Sequence, residues 1–499
     1  MATRKLGECP KCAEWRERFE MLEKRYVELE KHAAVMEDRV GRLYTDLTAA
    51  KSQVRHLQEV VAGRAKDSTN SSMPPSSDIV KPSPPKPVTG SRKRRCGGQA
   101  GHAPQQRAAF APEEIDAVVR HVYASCPQCG GPVEQFATPA AVVQQIELVA
   151  KPTLVTEHFS CTCHCGQCRR NFTSPIPSQI VQSGTFGPRL TAFVAYLKGA
   201  CHASYGTIRQ LLRETYRVNI AAGTLVKLCQ KVSRSLHASY DALVQQIPQQ
   251  SALHIDETGH RESGQRFWTW VFRAPQFTLF HIDPTRSAQV LDRLLGPKFS
   301  GTLLSDYYSA YRHYLATQPQ ANGQFCLAHL VRDVKFLDTL PDEADRQFGR
   351  ELLAELTALF QLWHARPSVT DAAANQTFRA ALIAQGEQLK CVAIERSPDT
   401  KASRKLARRF RKHAAQYLRF TYVPQLEPTN NAAEQAIRHV VIDRRVTQGT
   451  RSEQGRIWCE RIWTTIATCR QHGRDLFTFL QQSLLAHLTD TPPPMLLGS

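Results

Sequence analysis

The sequence lacks the long apolar runs of membrane proteins. No stretch approaches the ~18 consecutive apolar residues that a transmembrane helix needs. The first residues, MATRKLGECPKC, contain no apolar core of a secretory signal. We therefore expect a soluble cytoplasmic protein without a membrane partner.

Acidic residues are few relative to basic ones. The 499 residues include 64 Lys and Arg but 45 Asp and Glu, which gives a formal net charge of +19 at pH 7. Because such a surplus attracts polyanions, nucleic acid is the first partner that we expect. The length is sufficient for about two to four domains with at least one sizeable core.

An even number of cysteines is also lacking, since the chain has 15. Several lie in tight pairs without an export signal, which favours metal binding in a reducing compartment over a disulfide framework. Two Cys-x-x-Cys knuckles flank a β-rich spacer, and this spacing predicts a closed structural Zn²⁺ site within residues 113–180. The predicted ligands are Cys126, Cys129, Cys165 and Cys168.

The other clustered cysteines leave alternatives open. Cys161 and Cys163 lie close enough to the second knuckle to compete as ligands, and free buried thiols are the alternative to any zinc site. The earlier pair, Cys9 and Cys12, has no second pair nearby, so in a dimer it would be either shared or idle.

Apolar residues recur at alternating steps of four and three between Trp15 and Val61. This spacing predicts a parallel two-stranded coiled coil over residues 11–62, through which the chain dimerises. One core position holds Phe19, Tyr26, Ala33, Val40, Leu47, Val54 and Val61, and the other holds Trp15, Leu22, Leu29, Met36, Leu43, Ala50 and Leu57. The alternative is a single amphipathic helix that packs on its own chain.

Residues 63–112 are rich in Ser, Pro, Gly and basic residues and have no apolar period. This composition predicts a disordered basic linker. Its basic cluster would either touch DNA phosphates without sequence preference or remain solvated. The cluster consists of Arg92, Lys93, Arg94 and Arg95.

Two apolar-periodic helices are predicted within residues 185–248, from SYGTIRQLLRET and GTLVKLCQKVSRSL. They resemble a helix-turn-helix, whose second helix would present Lys227 and Lys231 to DNA. A helical hairpin that serves packing alone is the alternative.

The stretch LHIDETGH places Asp256 and Glu257 after an apolar run that is typical of a buried strand. Two further strands, a helix and a fourth strand ending at Asp306 follow, which predicts an α/β ribonuclease H-like domain over residues 250–480 with the first and fourth strands adjacent. Adjacent carboxylates repel each other, so pairing Asp256 with Asp306 indicates a bound cation. Strand alternation lets one of Asp256 and Glu257 face that cation, and we favour Asp256.

The stretch EPTNNAAEQAIRHVVIDRR predicts a helix with Glu434 and Arg438 one turn apart on one face. Glu434 is the candidate third metal ligand and Arg438 a supporting residue. The terminal Arg444 and Arg445 are expected to bind DNA. Alternatively, Asn431 and Glu434 form a capping box, in which Glu434 merely closes the start of the helix.

The stretch CLAHLVRD places Cys326 and His329 one turn apart on a helix. His329 would orient a phosphate or a leaving group, or else be a core histidine. Residues from about 338 to 420 are predicted to form a helical insertion in the catalytic domain. Its basic end, RKLARRFRKHAAQYLRF, would clamp DNA.

Taken in order, HIDETG, LLSDYYSAY, CLAHLVRD and NNAAEQAIR resemble the signatures of the insertion-sequence 66 family of bacterial transposases. The resemblance includes the linker and the cysteine knuckles, so it spans most of the chain after the coiled coil. It implies that Asp256, Asp306 and Glu434 form an Asp-Asp-Glu catalytic triad. The family often has Asp just before the Asn pair, whereas Thr429 stands here; this removes an auxiliary acid and leaves the three main carboxylates intact.

Such a triad would hold two Mg²⁺ ions ~4 Å apart, because Mg²⁺ prefers oxygen ligands. The resemblance thus implies a nucleoid-associated transposase that binds the terminal inverted repeats of its mobile element, cuts there and joins the ends to target DNA. Small accessory proteins of the element are possible partners. An inactive DNA-binding regulator and a general nuclease of the same fold are the alternatives; the intact acids disfavour the first, and the accessory modules disfavour the second.

Overall fold

The computed structural model describes residues 10–64, 109–134, 141–149, 152–165, 167–367 and 372–497. These residues divide into two compact units. The larger unit holds 10–64, 185–204 and the described residues from 228 onward, and the smaller unit holds 205–227 and the described part of 109–184. Most of the predicted basic linker, including its cluster at 92–95, lies outside the described residues, as does Cys9. No helix in the described ranges is both long and apolar enough to cross a membrane.

The N-terminal helix, α1, runs from Pro10 to Arg64. Its large apolar side chains are exposed at both predicted core positions of the heptad; Leu22 is 65% exposed and Leu43 is 60% exposed. Most of the apolar stripe is therefore not covered by its own chain, but its end does meet that chain, since Val54, Leu57 and Val61 line a cavity together with Thr339 and Leu340. Dimerisation through it stays a prediction.

A small antiparallel hairpin follows the first cysteine knuckle in the smaller unit. It consists of β1 (Thr162–His164) and β2 (Asn171–Thr173), and helix α2 (Ser178–Ser183) comes next. The second knuckle lies at the turn between the two strands, so the hairpin holds its backbone.

Residues 185–248 form four helices, which are divided between the two compact units. They are α3 (Pro188–Gly199), α4 (Tyr205–Glu214), α5 (Ala222–Ser235) and α6 (His237–Gln246). Helices α4 and α5 confirm the two predicted helices. However, α3 and α6 belong to the larger unit, while α5 passes from the smaller unit into the larger one. The reason is close packing: a Cβ on Gly199 would meet Ile462 Cγ1 at 2.5 Å, and Tyr240 OH donates to Phe280 O at 3.0 Å.

A five-stranded mixed sheet forms the centre of the larger unit. Its strands are β3 (Ala252–Glu262), β4 (Gln265–Arg273), β5 (Thr278–Asp283), β6 (Thr302–Ser305) and β7 (Asn322–Phe325), in the order β5-β4-β3-β6-β7. The first three form an antiparallel meander, and β3, β6 and β7 run parallel. The connecting helices are α7 (Gln289–Leu295), α8 (Ser309–Thr317) and, after β7, α9 (Leu327–Leu337). The predicted order of elements and the adjacency of the first and fourth strands are thus confirmed.

Strand β3 is longer than the sequence pattern predicts. Its parallel pairing with β6 covers residues 252–254, but it continues to Glu262 as the partner of β4. Ser263 and Gly264 close that hairpin with φ of 48° and 83°, the positive values of a tight two-residue turn. Asp256 therefore lies within β3, just beyond the parallel pairing, and not at the end of the strand.

Helix α15 (Glu453–Gln471) protects the edge strand β5. The side-chain oxygens of Glu460, Thr464 and Thr468 accept the backbone N–H groups of Ile282, Phe280 and Thr278 at 2.7, 3.0 and 3.2 Å. Side chains on successive turns of one helix thus satisfy alternate N–H groups of the strand. An uncovered edge would expose these groups to pairing with another chain.

The predicted insertion is helical, as expected. It contains α10 (Glu343–His364), α11 (Ala372–Glu395), α12 (Lys401–Tyr417) and α13 (Arg419–Tyr422). Leu356, Leu389 and Phe410 are among its buried core residues. Arg409, within the basic stretch, pairs with Asp333 at 2.6 Å, so this arginine stabilises the insertion. Helices α14 (Asn431–Thr447) and α16 (Leu476–Thr489) complete the unit, and α14 packs on β3 and β4.

Candidate active site

Two aspartates occupy equivalent positions along adjacent parallel strands, Asp256 within β3 and Asp306 directly after β6. His254 of β3 pairs with Leu304 of β6, and Asp256 and Asp306 each follow that pair by two residues. Backbone N–H groups hold both carboxylates: Glu257 N donates to Asp256 Oδ1, and Tyr308 N donates to Asp306 Oδ1, both at 2.9 Å. The register of β3 and β6 thus brings together the two predicted aspartates.

Helix α14, which carries Glu434, is tied to β3 at both of its ends. Among the described residues, however, the carboxylates of Asp256, Asp306 and Glu434 do not gather within 4.8 Å of one another as one ligand group. At its start, the Asn430 amide donates to Ile255 O at 2.7 Å and lies 3.1 Å from His254 Nδ1. At its end, Arg444 Nη1 donates to Gly259 O and to Thr258 Oγ1. Arg444, predicted to bind DNA, thus positions the helix that carries Glu434.

The capping-box alternative for Glu434 is not what the structure shows. The N-cap residue of α14 is Asn430, and it has no side-chain capping bond. Glu434 Oε1 instead lies 3.6 Å from His329 Nδ1 and 3.5 Å from Arg332 Nη2. Glu434 therefore faces α9, on which His329 and Arg332 lie.

Burial and neighbouring negative charges raise the pKa values of the two aspartates. Burial raises the pKa of Asp256 well above its usual value, and the charges of Glu257, Asp306 and Glu434 raise it further. Burial and Glu257 raise the pKa of Asp306 to about 7. Such mutual repulsion is relieved when a cation binds between the groups.

Glu257 has a separate role. Its side chain is 1% exposed and accepts from Arg286 Nε at 2.7 Å, and Arg286 Nη2 lies at 2.5 Å from the same oxygen. Tyr311 OH donates to its second oxygen. A carboxylate that is bonded on both oxygens by the protein is poorly placed as a metal ligand, which supports the choice of Asp256.

His329 and Cys326 lie beside Glu434. Cys326 precedes α9 and is buried, and its Sγ accepts the N–H of Asn430 at 3.1 Å. Burial, together with the charge of Arg332, lowers the pKa of His329 to about 4, so its imidazole is neutral near pH 7. His329 is thus a buried histidine beside Glu434, and its role in orienting a phosphate or a leaving group stays a prediction.

The other predicted DNA contacts differ in exposure. Arg445 is exposed on α14 and Lys227 is exposed on α5; Arg438, predicted as a supporting residue of the site, is exposed as well. Lys231 is half-buried, and burial together with the charge of Arg234 lowers its pKa.

The two cysteine knuckles have the same backbone form. Gly130 N donates to Cys126 O and Arg169 N donates to Cys165 O, both at 2.8 Å. Backbone N–H groups of Cys129 and Gln128 lower the pKa of Cys126, and those of Cys168 and Gln167 lower that of Cys165, the change that favours metal-binding thiolates. Cys161 and Cys163 lie exposed at β1. Among the described residues, however, the two pairs do not come within 4.8 Å of each other as one ligand group.

Sequence reasoning does not find three residues that shape the site. The doubled Asn of EPTNNAAEQ is the available signal for Asn430, and it is equally typical of a helix start. Arg286 and Tyr311 form their bonds to Glu257 across the fold, and no local pattern indicates those bonds.

The raised pKa of Asp306 predicts a pH dependence. An unfolded Asp ionises near pH ~3.9, so the folded metal-free protein binds an extra proton up to about pH 7. Its stability should therefore fall as pH rises from about 4 through about 7. We expect Mg²⁺ to raise the unfolding temperature more at pH 8 than at pH 5, and Asp306→Asn to weaken this dependence. A pH profile identical to wild type in the variant would contradict the assignment.

Comparison with known proteins gives this geometry a context. A model of the Transposase IS66 family matches residues 183–456, more than half of the chain. The chain belongs to this family. The match covers α3 to α6, the whole sheet, α14 and the start of α15, and with them Asp256, Asp306 and Glu434. The IS66 transposase family implies a divalent metal, and the oxygen ligands and raised pKa values at this site fit one.

The chain is also similar to a curated protein, at low sequence identity. The chain is 23% identical over 337 residues to the uncharacterized protein y4qI of Sinorhizobium fredii (strain NBRC 101917 / NGR234). The match covers 62% of this chain and 61% of that protein.

Proposed function

We propose that the chain is an active transposase that cuts at the ends of its element and joins them to target DNA through Asp256, Asp306 and Glu434. The observation that carries this proposal is the pairing of Asp256 and Asp306 across the register of β3 and β6, beside the helix α14 that carries Glu434 and is tied to β3. The strand order β5-β4-β3-β6-β7, with three antiparallel strands followed by two parallel ones, supports a ribonuclease H-like catalytic domain.

The chain's own residues would have two roles at this site, metal binding and orientation of the phosphate. Asp256 and Asp306, held by backbone N–H groups, and Glu434, carried by a helix fixed at both ends, would together hold two Mg²⁺ ions once Glu434 turns from His329 toward the aspartates. When bound, such ions activate the attacking oxygen and stabilise the leaving oxygen of a phosphodiester. The neutral imidazole of His329 would orient the phosphate by hydrogen bonding. No covalent bond between enzyme and DNA is required.

DNA binding would follow from the basic surplus. Exposed Lys227 and Arg445, with half-buried Lys231, are the proposed contacts to terminal inverted repeats and target DNA, and Arg438 is the proposed supporting residue beside Glu434 on α14. The exposed basic side chains of α12 would contribute nonspecific contacts. Arg444 acts through α14, and small accessory proteins of the element are proposed further partners.

The test is an assay with labelled DNA that carries the element's terminal repeats. We expect Mg²⁺-dependent cleavage that exposes 3′-hydroxyl ends, followed by joining to a target duplex. Binding without cleavage would support the inactive regulator, and equal cleavage of unrelated DNA would support a general nuclease.

Dimerisation through α1 gives a separate prediction. Leu43→Asp, on the proposed seam, should convert the full-length dimer to a monomer in sedimentation, because a charge cannot be buried there unpaired. Val35→Asp is the matched control, since Val35 is equally exposed in the single chain but lies off the seam. A wild-type monomer at high concentration would refute the proposal.

The knuckles should hold one structural Zn²⁺ per chain. Cys126→Ser or Cys168→Ser should lose about one equivalent of zinc and destabilise the smaller unit. Cys161→Ser is the control that settles the open ligand choice, and it should retain the metal. Full zinc content in both knuckle variants would show that the ligand set is wrong.

A further inference from the structure

A second group of potential metal ligands lies beside the acids and has different chemistry. One ligand atom each from Cys326, His329 and Glu434 lies within 4.8 Å of the other two; of the described residues, these are the ones that gather so closely in a set of three or more. Cys326 and His329 come from one turn of chain at the start of α9, and Glu434 faces them from α14.

Two atoms of this group are buried without a hydrogen-bond partner. They are His329 Nδ1 and Glu434 Oε1, and they lie 3.6 Å apart. Two ligands ~2.1 Å from a tetrahedral ion are ~3.4 Å apart, so this spacing suits a shared ion. Buried polar atoms normally have partners, and a bound metal would supply the one that these two lack.

The third ligand is held by the backbone, while burial raises the pKa of the Cys326 thiol to about 11, so a metal that binds there has to displace a proton. Cys326 Sγ accepts the N–H of Asn430 at 3.1 Å, and such outer hydrogen bonds orient and tune metal ligands. The guanidinium of Arg332, whose Nη2 lies 3.5 Å from Glu434 Oε1, compensates the negative charge of that carboxylate. A bound cation would compensate the same negative charge.

We propose that Cys326, His329 and Glu434 form a Zn²⁺ site that restrains DNA cutting by withdrawing Glu434 from Asp256 and Asp306. Sulfur, imidazole and carboxylate ligands suit Zn²⁺, whereas Mg²⁺ prefers oxygen alone. On binding, the thiol releases its proton to solvent as the sulfur–metal bond forms, and no atom is oxidised or reduced. The restraint rests on the proposed function, whereas the metal site itself does not.

Metal titration of the full-length protein tests the site. Metal-stripped wild type, Cys326→Ser, His329→Gln and the control Cys391→Ser, at an exposed cysteine of α11, are titrated with Co²⁺ and then Zn²⁺. The first two variants should lose one equivalent that wild type and control retain, or bind it at least ~10-fold more weakly. Equal stoichiometry and affinity in all four proteins would overturn the proposal.

Two further measurements do not depend on how the variants fold. Zinc-edge anomalous scattering from wild-type crystals should give a peak among the three ligand atoms, and no peak there at saturating Zn²⁺ would refute the site. Zn²⁺ added to Mg²⁺-supported cleavage should inhibit wild type; binding at the site without inhibition would refute the restraint. If the protein cleaves no DNA at all, the proposed function fails, and the titration and scattering still decide the site.

Discussion

Asp256→Asn should slow metal-dependent cleavage of element-end DNA by about 1,000-fold. The amide keeps the shape of the side chain but removes the charge that holds the metal, and a loss of ~4 kcal/mol of transition-state stabilisation corresponds to that factor. Asp306→Asn and Glu434→Gln should behave alike. Their combinations should add little, because all three serve one site.

DNA binding and an unrelated aspartate provide the controls for this series. Binding of the terminal repeats, measured by gel shift, should not weaken, since the loss of a negative charge cannot reduce attraction to DNA. Asp292→Asn changes an exposed aspartate on α7 and should leave cleavage unchanged. Near-normal cleavage by Asp256→Asn would exclude the proposed role.

Glu257→Gln should reduce the stability of the protein more than it reduces the rate of DNA cleavage. Glu257 is buried and paired with Arg286. Removing one charge of a buried pair lowers the free energy of unfolding by about 3 kcal/mol at the lower end of the usual range. We expect this lower value because the Arg286 side chain is partly exposed. The unfolding temperature should fall by several degrees. The folded variant should retain much of its Mg²⁺-dependent cleavage.

A double variant separates the ion pair from other effects. If the cost comes from an unpaired Arg286, then Glu257→Gln with Arg286→Met should be more stable than Glu257→Gln alone. Full stability of Glu257→Gln together with complete loss of cleavage would mean that the two neighbouring acids of DETG have the opposite roles.

The parts of the site that the sequence predicts are those with a local signal. Apolar runs followed by an acid identify β3 and β6, although β3 continues past Asp256, and the order of the elements makes Asp256 and Asp306 neighbours. The helix of Glu434 is predictable from its 3.6-residue period. Its attachment is not, because Asn430 and Arg444 bond to β3 residues almost two hundred positions away.

Roles and boundaries that depend on tertiary partners are less predictable. Arg444 is a basic residue at the end of a helix, which predicts a DNA contact. Its bonds to Thr258 and Gly259 instead anchor α14 to β3. Likewise, α3 has the pattern of a separate helical region, yet Gly199 packs so closely on Ile462 that the helix belongs to the larger unit. Side-chain type alone does not distinguish these outcomes.

The most direct test of the central claim is to locate Mn²⁺, as a substitute for Mg²⁺, by anomalous scattering in wild-type crystals. The account predicts one or two peaks about 2–2.5 Å from carboxylate oxygens of Asp256, Asp306 and Glu434, and their loss in Asp256→Asn. Peaks elsewhere, or none at saturating Mn²⁺ in crystals of a protein that cleaves DNA, would contradict the account.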